Sequence, residues 1–234
     1  MKLKGREFYL SKKVGKAITD YQMLSEGDRI AVGVSGGKDS LSLLRILRNR
    51  QSFCPVKYHL VAVHIDLGYP PGEEKRLRAY FKNYGYEYVI KKLKLSSKDK
   101  TCFWCSWNRR KMLFETAAKL RCNKVALGHH QDDIIQTVLL NLFFNGEISA
   151  MSPKQELFGG KLTIIRPLAY VQEKEIVRFA RGEKLPYYKY NCSDSLVSNR
   201  KRIAGIIREL ERVCPNVKTN IFRSVKRIKR EYLL

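Results

Sequence analysis

The apolar run Ile30-Ala31-Val32-Gly33-Val34 leads directly into Ser35-Gly36-Gly37-Lys38-Asp39-Ser40, and that turn opens onto Leu41-Ser42-Leu43-Leu44-Arg45-Ile46-Leu47. A buried strand, a glycine turn and a helix in immediate succession fix how the chain must begin its core. The turn also has the chemistry of a phosphate cradle. Two glycines let backbone amides converge on an anion, the helix N-terminus adds partial positive charge, Lys38 adds a full one, and Ser35 and Ser40 supply hydroxyls. The Walker spacing, with four residues between its first glycine and its Gly-Lys pair, is absent. The competing reading is an ordinary strand-to-helix connection.

Strand and helix signals alternate along the rest of the chain. Val14–Leu24 has helical periodicity and stops at Glu26-Gly27-Asp28. Tyr58–Ile65 is an apolar strand, Glu73–Tyr84 an amphipathic helix after Pro70-Pro71-Gly72, and Tyr86–Lys91 a strand. Cys102–Arg121 predicts a longer helix, Lys124–Leu127 a strand, Asp132–Phe144 a helix and Leu162–Arg166 a last strand. Helices are expected over Gln172–Glu183, Ser198–Val213 and Asn220–Arg230. This order implies an α/β fold, a Rossmann-like parallel sheet with helices on both faces plus C-terminal helices, and a ligand site beyond the carboxyl ends of the strands. The expected organisation is a basic helical segment over 1–28, a nucleotide-binding catalytic domain over 29–190 and a basic helical extension over 191–234.

Lys and Arg number 46 against 22 Asp and Glu, a net charge of +24. Solubility alone needs far less, so a polyanionic partner is expected, and nucleic acid fits better than a membrane surface. Eleven Lys and Arg against three Glu fall between Asn199 and Leu234. No apolar run approaches the roughly 20 residues of a membrane span, and the first residues lack an apolar signal core, which gives a cytoplasmic expectation.

Three chemistry-bearing elements fall at carboxyl ends of expected strands: the cradle, His64-Ile65-Asp66, and Gly128-His129-His130-Gln131-Asp132-Asp133. All three should meet around one crevice. Asp132 and Asp133 open a helix, where carboxylates are favoured for capping alone. Beside a phosphate cradle they can also hold magnesium through oxygen ligands and handle protons. The sequence does not rank Asp132 against Asp133, or His129 against His130.

Six cysteines without a signal sequence do not indicate disulfides. Cys102 and Cys105 share one face at the start of a helix, next to Arg109 and Arg110, which favour thiolates. Cys192 lies in the irregular polar segment Tyr190–Ser195, where a side chain can reach a site. Cys54, Cys122 and Cys214 fit structural roles. Three thiolates are one fewer than a closed zinc site or a fully ligated cubane requires, so metal binding and a pair of buried thiols both stay open. Trp104 and Trp107 flank the pair. Packing of the helix on the sheet is their expected use, with stacking of an extruded base as the other reading.

The Ser35–Ser40 loop, the Cys102/Cys105 pair followed by Arg109, the Gly128–Asp133 block and Cys192 together resemble the PP-loop ATP-pyrophosphatases, and within them the tRNA 2-thiocytidine synthetase family. Asn199-Arg200 and the stretch from Pro215 to Leu234 resemble the C-terminal helices of that branch. The resemblance implies an adenine nucleotide alpha hydrolase-like fold and a 4Fe-4S cluster on Cys102, Cys105 and Cys192 with one iron open. The uridine-thiolating relatives carry terminal zinc-binding cysteine pairs, which this sequence lacks.

From this likeness the expected substrates and cofactors are tRNA, ATP, Mg2+ and a sulfur donor, either sulfide or the product of a cysteine desulfurase. A homodimer is suggested on the same ground. The expected reaction replaces the C2 oxygen of cytidine 32 by sulfur through an adenylated base, releasing AMP and pyrophosphate. Gly36, Gly37, Lys38 and Ser40 would receive pyrophosphate, Arg109 the α-phosphate or adenylate, Ile65 and Asp66 the adenine and ribose, with Ser35, Asp39, Gly128 and His129 completing the nucleotide site. The alternatives are 2-thiouridine synthesis, a lysidine synthetase-like ligation in which an amine attacks the adenylate, and a zinc-binding RNA-binding module without catalysis.

Overall fold

The computed structural model describes residues 5–68, 70–93, 102–188 and 199–232. The chain divides into two compact units, one of residues 1–130 and 153–190, the other of residues 131–152 and 191–234. The unit with the C-terminal helices thus also takes in 131–152, a stretch that the sequence reading grouped with the catalytic region.

The first unit is built on six strands: β1 Asp28–Gly33, β2 Tyr58–Asp66, β3 Glu87–Lys92, β4 Lys124–Ala126, β5 Lys154–Leu157 and β6 Leu162–Ile165. Their order is β3-β2-β1-β4-β6-β5, parallel throughout except for β5 against β6. From β1 the chain winds outward to β2 and β3, then returns to add β4 on the other side. The carboxyl ends of β1 and β4 therefore flank the point where the winding reverses, the place at which such sheets bind ligands.

The strands are apolar on both sides because both sides are covered. Ile30, Val32, Leu60 and Ala62 pack with α1 Gly5–Asp20, α2 Lys38–Arg50, α3 Glu73–Asn83 and α6 Glu173–Gly182. Ala31, Val61, Val63 and Val125 face the other way, onto Leu113 and Ala117 of α4 Cys102–Lys119. At the amino ends of the strands, Lys124 Nζ meets Asp28 Oδ2 at 2.5 Å, and Asn123 and the Ser25 amide complete the carboxylate's hydrogen bonds. Both partners are buried, so removing one would leave an uncompensated charge at a cost of about 3–5 kcal/mol.

The first helix begins at Gly5 and ends at Asp20, because its buried stripe already includes Leu10 and the chain turns through Gln22 at φ 48°. β5 gave no sequence signal: Lys154-Gln155-Glu156-Leu157 is an edge strand that needs no buried face.

In the second unit, α5 Gln131–Leu140 runs into one π-helical turn, Asn141–Asn145, which ends at Gly146 with φ 66°. α7 Asn199–Val213 and α8 Val217–Ser224 complete it. Ile135, Leu139, Ile203 and Ile207 form its core, flanked by Leu140, Ile221 and Phe222. The last helix sits earlier than the 220–230 expected, with Asn216 at its N-cap position. Among the described residues, no helix is long and apolar enough to cross a membrane.

Candidate active site

Val34 continues the ladder past β1 by donating to Val63 O at 2.8 Å, and the chain then turns. Gly36 takes φ 81°, a left-handed conformation that side chains disfavour, and a Cβ there would strike the Glu73 carboxylate. The two serines brace the turn: the Ser35 amide donates to Ser40 Oγ at 3.0 Å, and Ser40 Oγ donates to Gly37 O at 3.1 Å. Gly37 is the N-cap of α2 and no side chain caps the helix, so its first amides stay available to an anion.

Lys38 projects from the first turn, with Asp39 Oδ2 at 3.2 Å and Glu173 Oε1 at 2.9 Å. Burial alone would lower its pKa, but the two carboxylates outweigh burial and raise it, so the ammonium is fully charged at neutral pH.

The exit from β4 lies against this turn. A Cβ on Gly128 would stand 2.9 Å from Ser40 N and 3.0 Å from the Asp39 carbonyl carbon, so backbone packs on backbone and only glycine fits. The buried His130 follows, its Nε2 3.8 Å from Asp39 Oδ1. His129 accepts at Nδ1 a hydrogen bond from Arg166 Nε, 3.3 Å away. Because a guanidinium only donates, a neutral His129 carries its proton on Nε2. Arg166 is buried just past β6. Burial, then Arg110, lowers its pKa to about 10, and it remains a cation at neutral pH.

At the end of β2, Ile65 and Asp66 are buried, and Asp66 Oδ1 accepts from the Gly68 amide at 2.8 Å, closing the turn beyond the strand. His64 donates from Nδ1 to Val34 O at 2.8 Å, tying β2 to the entrance of the loop. Burial holds its pKa below the usual imidazole value, and Arg109 pushes the same way. Arg109 also acts on Glu73, whose pKa burial raises against Arg76 and Arg109. That dual influence puts Arg109 within electrostatic reach of the β2 end and the glycine turn.

Cys102 and Cys105 occupy the first turn of α4, where residues three apart share a face. Cys105 is half-buried; the Cys102 side chain and all of Cys192 lie outside the described residues. Two thiols one turn apart at a helix start are soft donors suited to iron-sulfur or zinc chemistry, and to that extent the residues fit a cluster. Among the described residues, no three His, Cys, Asp or Glu form a metal site. Cys54 and Cys122 are buried in the two faces of the core, as expected for structural thiols.

Asp132 and Asp133 fall in the other unit, in the first turn of α5. There Asp132 Oδ1 pairs with Lys218 Nζ at 2.9 Å, and Asp133 Oδ1 lies 3.7 Å from Arg200.

A family model described as the PP-loop domain matches residues 9–210. The chain belongs to the PP-loop family. Curated relatives sharpen the placement: it is 41% identical to the tRNA-cytidine(32) 2-sulfurtransferase of Geobacter sulfurreducens, over 94% of this chain and 90% of the relative. It is 38% identical to the enzyme of the same name from Geotalea uraniireducens, over 96% and 93%. Among solved structures it resembles the U34-tRNA thiolase NcsA from Methanococcus maripaludis with its 4Fe-4S cluster, with TM-score 0.77, 27% identity and coverage of 97% of this chain and 79% of that one. An NH3-dependent NAD synthetase from Campylobacter jejuni, at TM-score 0.53 and 12% identity over 98% and 95%, shares the fold.

The expected adenine nucleotide alpha hydrolase-like fold is thus confirmed for this PP-loop chain. In its first unit the loop, Gly128 and His130 are assembled at the β1/β4 ends, with Ile65 and Asp66 at the end of β2. Sequence reasoning gave no role to Glu173, Glu73 or Arg166, and named His64 only as part of the His64-Ile65-Asp66 element without a role of its own. Arg166 carried a signal, a charged residue ending an apolar strand, but Glu173 carried none because its tie to Lys38 is purely tertiary.

Proposed function

We propose that this PP-loop enzyme replaces the C2 oxygen of cytidine 32 in tRNA by sulfur, using ATP to activate the base. The carrying observation is the uncapped α2 N-terminus with Lys38 over the Gly36-Gly37 turn, in a chain 41% identical to tRNA-cytidine(32) 2-sulfurtransferases. A C2 carbonyl is a weak electrophile and oxide a poor leaving group, so the oxygen must first be phosphorylated or adenylated. Attack of that oxygen on the α-phosphate of ATP breaks the bond to pyrophosphate and gives an adenylated base. The Gly36, Gly37 and Lys38 cradle receives the departing charge, and such preorganised donors are worth about 10²–10³ in rate each. Ser35, Asp39 and Ser40 hold the cradle's shape.

In this reading Arg109 offsets charge on the α-phosphate, and the backbone of Ile65 with Asp66 borders adenine and ribose. Gly128 keeps the β4 exit tight against α2, and His129 donates from Nε2. Sulfur then takes C2 and AMP leaves with the former carbonyl oxygen. Cys102, Cys105 and Cys192 would hold a 4Fe-4S cluster, which would supply an iron at which sulfide could be carried. Asp132 and Asp133, which follow the histidine pair after Gln131, are assigned magnesium and proton handling. The basic 199–234 region is assigned to tRNA, with the cytoplasm as compartment, sulfide or a desulfurase product as donor, and a homodimer as assembly. The 1–28, 29–190 and 191–234 division is retained as a functional one.

The testing experiment measures AMP and pyrophosphate release from ATP by anaerobically prepared protein, with and without tRNA. Release that requires tRNA supports adenylation of the base. Release of ADP would mean phosphoryl transfer in place of adenylation, and no ATP cleavage with tRNA present would favour a binding module instead.

A further inference from the structure

Trp104 and Trp107 are the two tryptophans of the chain, and each keeps 47% of its surface exposed. This overturns the expectation that they pack α4 onto the sheet. The sheet contact is made further along: from Trp104 to Met112 no residue of α4 is buried, and among its described side chains the first that is buried is Leu113. The two indoles meet edge to face with centroids 5.6 Å apart, and Lys111 Nζ lies 5.5 Å from the centre of the Trp107 ring. Positions 104, 107 and 111 follow helical spacing, so these side chains form one stripe, while Cys105 and Arg109 share another.

Exposed indoles sacrifice a large burial gain, and a nucleobase can recover it by stacking on a ring face. The surrounding charge selects the occupant. Arg109, Arg110 and Lys111 are consecutive, and α4 has no acidic residue before Glu115. A second copy of a chain carrying +24 would meet like charge there, whereas RNA brings phosphates to the cations and flat bases to the rings. We propose that Trp104, Trp107 and Lys111 form a stacking platform for unpaired bases of the tRNA anticodon loop, resting on the tRNA reading above.

Because both tryptophans lie in this stripe, intrinsic fluorescence reports it alone. The test titrates the full-length protein with an anticodon stem-loop RNA and with a blunt duplex of equal length, following tryptophan emission and, separately, anisotropy of labelled RNA. The stem-loop should quench emission and the duplex should not. Changing Trp104 and Trp107 together to Ala should weaken stem-loop binding about tenfold or more, and the double change to Phe should restore most of it. Circular dichroism confirms that the Ala variant is folded. RNA binding by anisotropy without quenching, or equal affinity of the folded Ala variant, would overturn the platform and leave the tRNA reading standing. Emission changes that track protein concentration without RNA would mean self-association and also overturn it. No binding of either RNA by wild type would overturn both.

Discussion

Lys38 Nζ lies 2.9 Å from Glu173 Oε1, so the cation of the glycine loop is already engaged by a carboxylate from the start of α6. An incoming polyphosphate must draw the ammonium away from that partner. Glu173 is about half exposed, which limits the pair to a surface ion pair's strength of up to about 1 kcal/mol. Changing Glu173 to Gln should therefore tighten pyrophosphate binding by up to about fivefold, read by calorimetry. Weaker binding would show that Glu173 positions Lys38 instead of competing for it.

His64 gives the fold a pH dependence of definite sign. Its pKa lies below the ordinary value because it is buried, with Arg109 adding to the effect and the Val34 carbonyl, Asp66 and Glu74 opposing it. The unfolded chain takes up the proton first as pH falls below about 6.5, so stability declines from there toward the lower folded value. His64→Asn, whose amide can still donate to Val34 O, should flatten this decline in urea unfolding between pH 7.5 and 5.5. An unchanged pH slope would count against a neutral, buried imidazole.

Iron content separates the cysteines. Anaerobically prepared protein should hold about four irons per chain, and changing Cys102, Cys105 or Cys192 to Ala should remove them. Cys54→Ala and Cys122→Ala lie in the core clusters and should lower stability while leaving iron in place. Full iron in the Cys192 variant would break the ligand assignment.

Arg223, Arg227 and Lys229 are exposed along the C-terminal region. If they neutralise phosphates, changing all three to Gln should reduce the slope of log affinity for tRNA against log salt by about 0.7–0.9 for each phosphate no longer paired. ATP affinity should not move. An identical slope would mean that this face is merely solvated.

The segment from Ile30 to Leu47 was legible in the sequence because every local signal agrees: an apolar strand, a glycine at Gly36 where a left-handed turn is needed, and a helix with its charged residue at the start. The same agreement exposed the β2 and β4 ends, and hence Ile65, Asp66 and Gly128. What escaped depends on tertiary context. Nothing near Glu173 signals Lys38, and the polar edge strand β5 looks like a loop until it pairs with β6. Trp104 and Trp107 have the composition of a packing surface, and only the extension of α4 past its buried half exposes them.

The most direct test of the central claim is mass spectrometry of nucleosides from tRNA incubated with cluster-loaded protein, ATP, magnesium and sulfide. The account predicts 2-thiocytidine at position 32 with wild type, and its loss with Lys38→Ala even though that variant keeps its iron. Thiouridine, lysidine, or unmodified tRNA from the wild-type reaction would contradict it.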